Sequence, residues 1–114
     1  MYKLIILFES PLNAEAFQIE WQKFMRLAEK MPGLLSEVVS EVESVPFDPH
    51  GRAPVKIHEL YFRDRTALEN ALRSPIGQEA GRRLHEFTGG RFVLLIARHM
   101  QAEAKDFKRP SPSS

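Results

Sequence analysis

The chain of 114 residues contains no cysteine, so it offers no disulfide framework, no thiolate ligand for a metal and no cysteine nucleophile. It also lacks any apolar run that approaches the roughly 20 residues needed to cross a bilayer as a helix. We therefore expect neither a membrane-spanning segment nor a membrane partner, and we expect no signal peptide. The absence of cysteine fits a reducing compartment, and we expect a cytoplasmic protein.

The sequence also has no marked excess of positive or negative charge. Lys and Arg total 16 against 15 for Asp and Glu, which gives a net charge of +1. The basic residues are scattered among acidic ones, whereas a nucleic-acid-binding domain usually concentrates them on one face. This pattern argues against a nucleic-acid partner.

Motifs that hold phosphates, metals or activated serines are absent from the sequence. There is no glycine-rich phosphate loop and no Gly-x-Ser-x-Gly elbow. The four histidines, at positions 50, 58, 85 and 99, do not stand at a metal-ligand spacing from one another or from acidic residues. We expect no cofactor and no metal.

What the sequence does contain is a regular alternation of strand and helix patterns. A continuous apolar run predicts a buried strand over residues 2–8, and alternating patterns predict strands over 34–45, 55–62 and 91–99. The second strand has three glutamates on one face, so we place it at a sheet edge with that face partly in solvent. The third is rich in bulky β-formers, which favours a central position.

Two helical segments separate these strands. Asn13 is positioned to cap the first helix, whose apolar stripe recurs every three or four residues. Asp64 is positioned to cap the second, and Ser74-Pro75 divides that helix into two pieces because proline fits only the first helical turn. The apolar stripe of the first helix comprises Phe17, Trp21, Phe24, Ala28 and Met31.

The order strand, helix, strand, strand, helix, strand is the ferredoxin-like βαββαβ pattern of an α+β protein. We expect one domain over residues 1–101, with a four-stranded antiparallel sheet and helices on one face. The other sheet face would expose apolar side chains, so we expect a homodimer. The polar segment 102–114 is rich in proline and serine, and we expect its last eight or so residues to be disordered.

The chain resembles the EthD family of dimeric α/β-barrel proteins over roughly residues 2–100. This resemblance implies that two ferredoxin-like protomers form a dimeric α/β barrel. The residues that carry it are Lys3-Leu4, Pro32-Gly33-Leu34, Glu59-Leu60-Tyr61-Phe62-Arg63-Asp64, Ala67-Leu68, Ala71-Leu72, Ser74-Pro75, Gly77-Gln78 and Ala80-Gly81.

For function, the resemblance implies an accessory or small-molecule-binding protein that acts in the breakdown of an apolar or aromatic compound. Many proteins of this kind carry a histidine in the first helix, shortly before the Pro-Gly turn, which faces a cavity beside the sheet. This chain has Phe24 or Met25 at that place and no histidine in the first helix. Its cavity should therefore be more apolar.

Two groups are candidates for moving a proton. Glu59 lies mid-strand between apolar neighbours, where a carboxylate must be paired or protonated. It is either a salt-bridge partner, of Lys3 or of an arginine, or a general base. His85 is either a hydrogen-bonded structural residue or an acid or base.

The candidate ligand pocket is lined by aromatic residues and one histidine between helix and sheet. Trp21 and Phe24 have an alternative interpretation as ordinary core, and His58 is either a hydrogen-bonded structural residue or an acid or base. The pocket candidates are Trp21, Phe24, His58, Tyr61 and Phe87.

Two further functions remain open from the sequence. The first is a cofactor-free monooxygenase or isomerase in which Glu59 or His85 handles a proton while Trp21 and Tyr61 hold the substrate. The second is an RNA-binding module, because RNA-recognition domains share this topology. The third strand has no glycine and places Glu59 among its aromatics, which disfavours the RNA-binding alternative.

Overall fold

A computed structural model describes residues 1–108. The prediction of a disordered tail lies outside the described residues for positions 109–114. The described chain follows the predicted order, with the second helical segment split in two. Its elements are β1 (Tyr2–Phe8), α1 (Ala14–Ala28), β2 (Ser36–Glu41), β3 (Lys56–Phe62), α2 (Arg65–Arg73), α3 (Pro75–Thr88), β4 (Phe92–Arg98) and a 3-10 helix (Ala104–Lys108).

The four strands form one antiparallel sheet in the order β2-β3-β1-β4. The predicted ferredoxin-like α+β fold is therefore confirmed, with β3 central and β2 at an edge. Strand β2 is shorter than predicted, although Leu35 N–H and Val42 N–H still donate to the carbonyls of Tyr61 and Val55. The 3-10 helix includes Phe107, which was expected in the disordered part of the tail.

Polar caps fix where each helix begins. The side chains of Asn13 and Asp64 accept from Ala16 N–H and Ala67 N–H at 2.9 and 2.8 Å. These bonds satisfy donors that the first helical turn leaves unpaired. The bond from Ala67 is also the main reason why the pKa of Asp64 is below its usual value.

The break at Ser74-Pro75 brings α2 and α3 very close together. The Ser74 hydroxyl caps α3 by accepting from Gly77 N–H at 3.0 Å. A Cβ atom at position 77 would lie only 2.0 Å from the Ala71 carbonyl oxygen at the end of α2. Glycine is therefore required at position 77 for this helix crossing.

Helices α1, α2 and α3 lie on one face of the sheet. Leu4, Ile6 and Phe8 of β1 point to the helices and are buried with Phe17 and Phe24 of α1. The opposite side is called the open face here, because none of the described helices packs on it. Its side chains are Ser36, Val38, Ser40, Ile57, Glu59, Tyr61, Lys3, Ile5, Leu7, Val93, Leu95, Ala97 and His99.

Replacing Asp64 with alanine should lower the melting temperature by a few degrees, because two structural roles meet at this cap. Its side chain accepts an unpaired backbone N–H of the first turn of α2, and the residue lies at the end of the short connection from β3 to α2. Thermal unfolding followed by circular dichroism measures the change, with Asp106→Ala in the 3-10 helix as the control. Equal melting temperatures for Asp64→Ala and the unaltered chain would contradict this role.

Candidate functional site

A polar cluster lies inside the helix-covered side of the sheet, centred on His58. This residue is fully buried. Its Nδ1 atom lies 3.3 Å from Trp21 Nε1, and its Nε2 atom lies 2.6 Å from Glu37 Oε2. Glu29, at the end of α1, adds a second carboxyl beside Glu37. These four residues are called the His58 cluster.

The chemistry of tryptophan fixes the tautomer of His58. An indole nitrogen can only donate, so Trp21 donates to Nδ1 and the imidazole proton sits on Nε2. That N–H then donates to the Glu37 carboxylate. Both ring nitrogens of His58 are occupied, which leaves neither free for a ligand.

Burial sets the ionisation of this cluster. It lowers the pKa of His58 to about 4, and the positive charge of Lys56 acts in the same direction. The negative charge of Glu29 opposes this shift and outweighs the smaller effect of Lys56. The hydrogen bond to Glu37 raises the pKa of Glu29. His58 is therefore neutral at pH 7 and serves as a structural bridge between α1, β3 and β2.

A buried lysine extends the cluster along the same interface. The Lys56 ammonium lies 3.4 Å from the centre of the Trp21 ring, within cation–π range. It donates to Gln18 Oε1 at 3.1 Å and pairs with Glu41 Oε1 at 3.2 Å. These contacts compensate for the desolvation of the charge.

Beside Phe24 lies a very small apolar cavity of about 40 Å³. Its walls include Phe24, Leu84, Gly81 and Leu94. This volume holds about one water molecule, and the walls offer hardly any polar surface. Phe24 therefore fills the space between α1, α3 and the sheet rather than opening it.

A much larger cleft, of about 530 Å³, opens at the end of the sheet where β1 ends and β4 begins. We call it the aromatic cleft, because its floor is built from phenylalanine rings. Phe17 and Phe87 lie there 5.8 Å apart between ring centres, and Phe17 packs edge-on against Phe8 at 5.3 Å. Its other lining residues include Glu9, Leu12, Ala16, Glu20, Glu86 and Arg91.

The sequence-predicted site residues do not converge on one pocket. Of the five pocket candidates, Phe87 lines the aromatic cleft and Phe24 lines the small cavity. Trp21 and His58 belong to the buried cluster, whereas Tyr61 lies on the open face. Within a protomer the sheet separates Trp21 from Tyr61, so the two side chains do not face one pocket.

Neither proton-transfer candidate lines either cavity. Glu59 lies on the open face and forms a salt bridge of 2.7 Å with Lys3, which raises the pKa of Lys3. This is the structural alternative considered for Glu59 from the sequence. His85 is exposed on α3 and packs edge-on against Phe92, with 4.9 Å between ring centres.

Sequence reasoning missed the partners of His58. Glu37 was assigned to a strand face in solvent, but its side chain is only 17% exposed and binds a buried imidazole. Its register opposite Leu60 turns it toward the helices. Alternation alone cannot say which face of an edge strand is covered, because that depends on where α1 crosses it.

The described residues also bear on metal sites and membrane spans. Nowhere in residues 1–108 do three acidic or histidine side chains come together in a way that could hold a metal ion. Within the same residues, no helix is both long and apolar enough to cross a bilayer.

This architecture defines the chain as a ferredoxin-like α+β protomer, and it is similar to a solved EthD family structure. An EthD (ethyl tert-butyl ether D) family protein from Bacillus halodurans C-125 has the same fold, with a TM-score of 0.77. It is 29% identical, and the match covers 88% of this chain and 99% of that one. The resemblance seen in the sequence is thus confirmed.

More distant structures share the fold. The cofactor-independent oxygenase SnoaB from Streptomyces nogalater matches with a TM-score of 0.67 at 11% identity, over 90% of this chain and 96% of that one. A dimeric ferredoxin-like protein from Jannaschia sp. CCS1 matches with a TM-score of 0.59 at 19% identity, over 86% and 97%. No family model and no curated protein matches the sequence.

The small cavity yields a prediction about Phe24, which lies in its wall. Phe24→His should lower the free energy of unfolding by about 1–3 kcal/mol, because the apolar walls cannot satisfy a second imidazole there. Glu59 and Tyr61 lie across the sheet and cannot act as its partners. Denaturant unfolding at pH 8 measures the cost, with Phe24→Leu as the apolar control. A stable Phe24→His variant with a newly titrating histidine would mean that the cavity accepts a polar group.

Proposed function

We propose that this protein is a homodimeric, EthD-like binding protein for a small apolar or aromatic molecule, and that the aromatic cleft is its ligand site. The comparisons support a small-molecule-binding or enzymatic role in general. The specific proposal rests on one observation, which is that the cleft of about 530 Å³ has a floor of phenylalanine rings. Ligand pockets of about 300–1,000 Å³ with apolar linings are typical of small-molecule sites.

The ring of polar groups around this floor restricts the kind of ligand. Glu9, Glu20 and Glu86 line the cleft, and Arg91 is the one basic residue among its lining residues. The Arg91 guanidinium is held by the Ser10 carbonyl through a 3.0 Å hydrogen bond. A surplus of carboxylates disfavours an anionic ligand, so a neutral molecule is the best match. Breakdown of apolar or aromatic compounds is the process in which such a protein would act.

The homodimer has independent support from the open face. Val93 and Leu95 are each more than 40% exposed there, and they lie beside Leu7 and Ile5 of the neighbouring strand. Contiguous apolar surface of this kind is unusual on a monomer. Two of the structural neighbours are described as dimeric ferredoxin-like proteins. We propose that two open faces pack together, and that the cysteine-free dimer works in the cytoplasm.

A cofactor-free oxygenase or isomerase is the less favoured alternative. Within a protomer, Glu59 is paired with Lys3 and the ring nitrogens of His58 are both occupied. His85 lines neither the aromatic cleft nor the small cavity. A catalytic role would therefore have to rest on the carboxylates of the aromatic cleft.

A neutral fluorescent probe tests the ligand site. N-phenyl-1-naphthylamine should bind with increased fluorescence, and Leu12→Ser should weaken it about fivefold, because one leucine contact contributes about 1 kcal/mol. Leu12 lines the cleft and is 92% exposed, so its replacement should leave the fold intact. Ile19→Ser is the matched control, since Ile19 is 57% exposed on α1 and does not line the cleft. Equal weakening by both variants, or no binding at all, would reject the cleft as the site.

A further inference from the structure

The loop of residues 46–54, between β2 and β3, has a fixed shape. Asp48 accepts backbone N–H groups from Ala53 at 2.9 Å and Arg52 at 3.0 Å through its carboxylate, and from Gly51 at 3.3 Å through its carbonyl. The carboxylate bonds, led by that from Ala53, hold the pKa of Asp48 below its usual value. Prolines at positions 46, 49 and 54 further restrict the backbone. This loop is called the Phe47 loop.

The same loop holds an aromatic side chain out into solvent. Phe47 is 84% exposed, and neighbouring Val45 is 47% exposed. Among residues 1–108 the aromatic contacts do not include Phe47. An exposed aromatic on a preorganised backbone loses little entropy when it binds, which is typical of an interface anchor.

The Phe47 loop and the aromatic cleft lie at the same end of the sheet. Val55 N–H, just after the loop, donates to the Phe8 carbonyl at 2.8 Å. Glu9 N–H donates to the Arg91 carbonyl at 3.1 Å, and both residues line the cleft. Within a protomer, however, β2 and β4 are opposite edges of the sheet, about 14 Å apart across three strand spacings. The Phe47 of a protomer does not line its own cleft.

In a dimer with a two-fold axis parallel to the strands, the Phe47 loop of one protomer can lie close to the aromatic cleft of the other. If two open faces pack about such an axis, β2 of one protomer comes beside β4 of the other, and the same ends of both sheets lie together. An axis across the strands would instead bring β2 beside β2 and place the loops at opposite ends. The first arrangement is favoured by charge, because exposed Arg52 of the loop would meet Glu9 and Glu86 at the rim of the cleft.

We propose that the aromatic cleft of each protomer is completed by its partner, whose Phe47 loop places an aromatic side chain over the mouth of the cleft and Arg52 beside the rim carboxylates. Each ligand site is then composed of two chains, and a monomer has only an open cleft. This inference rests on the proposed homodimer and on the proposed ligand cleft.

Cross-linking tests the geometry, and the cysteine-free sequence makes it specific. Differently tagged Phe47→Cys and Leu12→Cys chains are co-expressed and treated with a short bismaleimide. The expected product is a mixed covalent dimer of about twice 13.1 kDa that carries both tags. The control pairs Phe47→Cys with Ile19→Cys, which is exposed on α1 outside the cleft and should give little product. Equal yields from both pairs, or no product from a dimeric sample, would overturn the proposal.

A binding measurement supplies an independent readout. Phe47→Ala should weaken N-phenyl-1-naphthylamine about fivefold while light scattering still reports a dimer, and Phe47→Leu should restore most of the affinity. Unchanged affinity in Phe47→Ala would overturn the partner's role in the site. If the unaltered protein binds no probe, the proposed ligand function fails and the cross-link alone decides the contact. If the unaltered protein is a monomer, this proposal fails together with the dimer.

Discussion

Replacing Leu95 with glutamate is expected to convert a dimer into a 13.1 kDa monomer at micromolar concentration. Leu95 is 42% exposed on the open face, on strand β4. Its neighbour across the strands is Ile5 of β1, so a carboxylate at position 95 would be buried among apolar side chains if two open faces packed together. An unpaired buried charge is strongly unfavourable, and the dissociation constant should rise on the order of 100-fold or more.

Size-exclusion chromatography with light scattering measures this effect. The unaltered chain should elute with twice the chain mass, because a stable pair of sheet faces buries more than about 1,000 Å². Ile19→Glu is the matched control, since it adds the same charge on α1, on the helix-covered side of the sheet. A dimeric Leu95→Glu variant would move the interface elsewhere, and a monomeric unaltered chain would reject the dimer.

Loss of His58 is the second large expected effect. His58→Leu should lower the free energy of unfolding by about 2–4 kcal/mol, because it removes two buried hydrogen bonds at once. Trp21 N–H would lose its acceptor, and the Glu37 carboxylate would lose its donor. Denaturant unfolding at pH 7 measures the cost, and His50→Leu on the exposed loop is the control. A change below about 1 kcal/mol would contradict the bridging role of His58.

The same residue should make stability depend on pH. The unfolded chain protonates its histidine near pH 6.5, whereas folded His58 does so only at about 4. Between these values the unfolded state binds more protons, so stability should fall as pH falls, by about 3 kcal/mol in total. The raised pKa of Glu29 acts in the opposite direction, but its side chain is exposed and its effect is smaller.

Two measurements check this pH dependence. Unfolding curves at pH 7 and pH 5 should differ less in His58→Leu than in the unaltered chain. The ring signals of His58 should shift little between pH 8 and pH 5 in NMR spectra, because its pKa is about 4. A His58 signal that titrates near 6.5 would mean that the imidazole is reached by water.

The local sequence determined the elements and their order. Caps at Asn13, Asp64 and Ser74 depend only on neighbouring backbone groups, so they could be identified from residue type and spacing. The composition of strand β3 also indicated its central position correctly. The EthD-like resemblance added the same topology from short motifs, and the fold of the Bacillus halodurans protein confirmed it.

Only the tertiary structure decided which side chains meet. Glu59 and His58 are adjacent in the sequence, yet they face opposite sides of the sheet and have unrelated partners in Lys3 and Glu37. Those partners come from strands whose register is set by long-range pairing rather than by local pattern. The aromatic cleft likewise joins the start of α1 to the end of α3, and only their packing brings Phe17 and Phe87 together. Local periodicity shows which residues of a helix or strand share one side. Which other helix or strand packs against that side depends on how the whole chain folds.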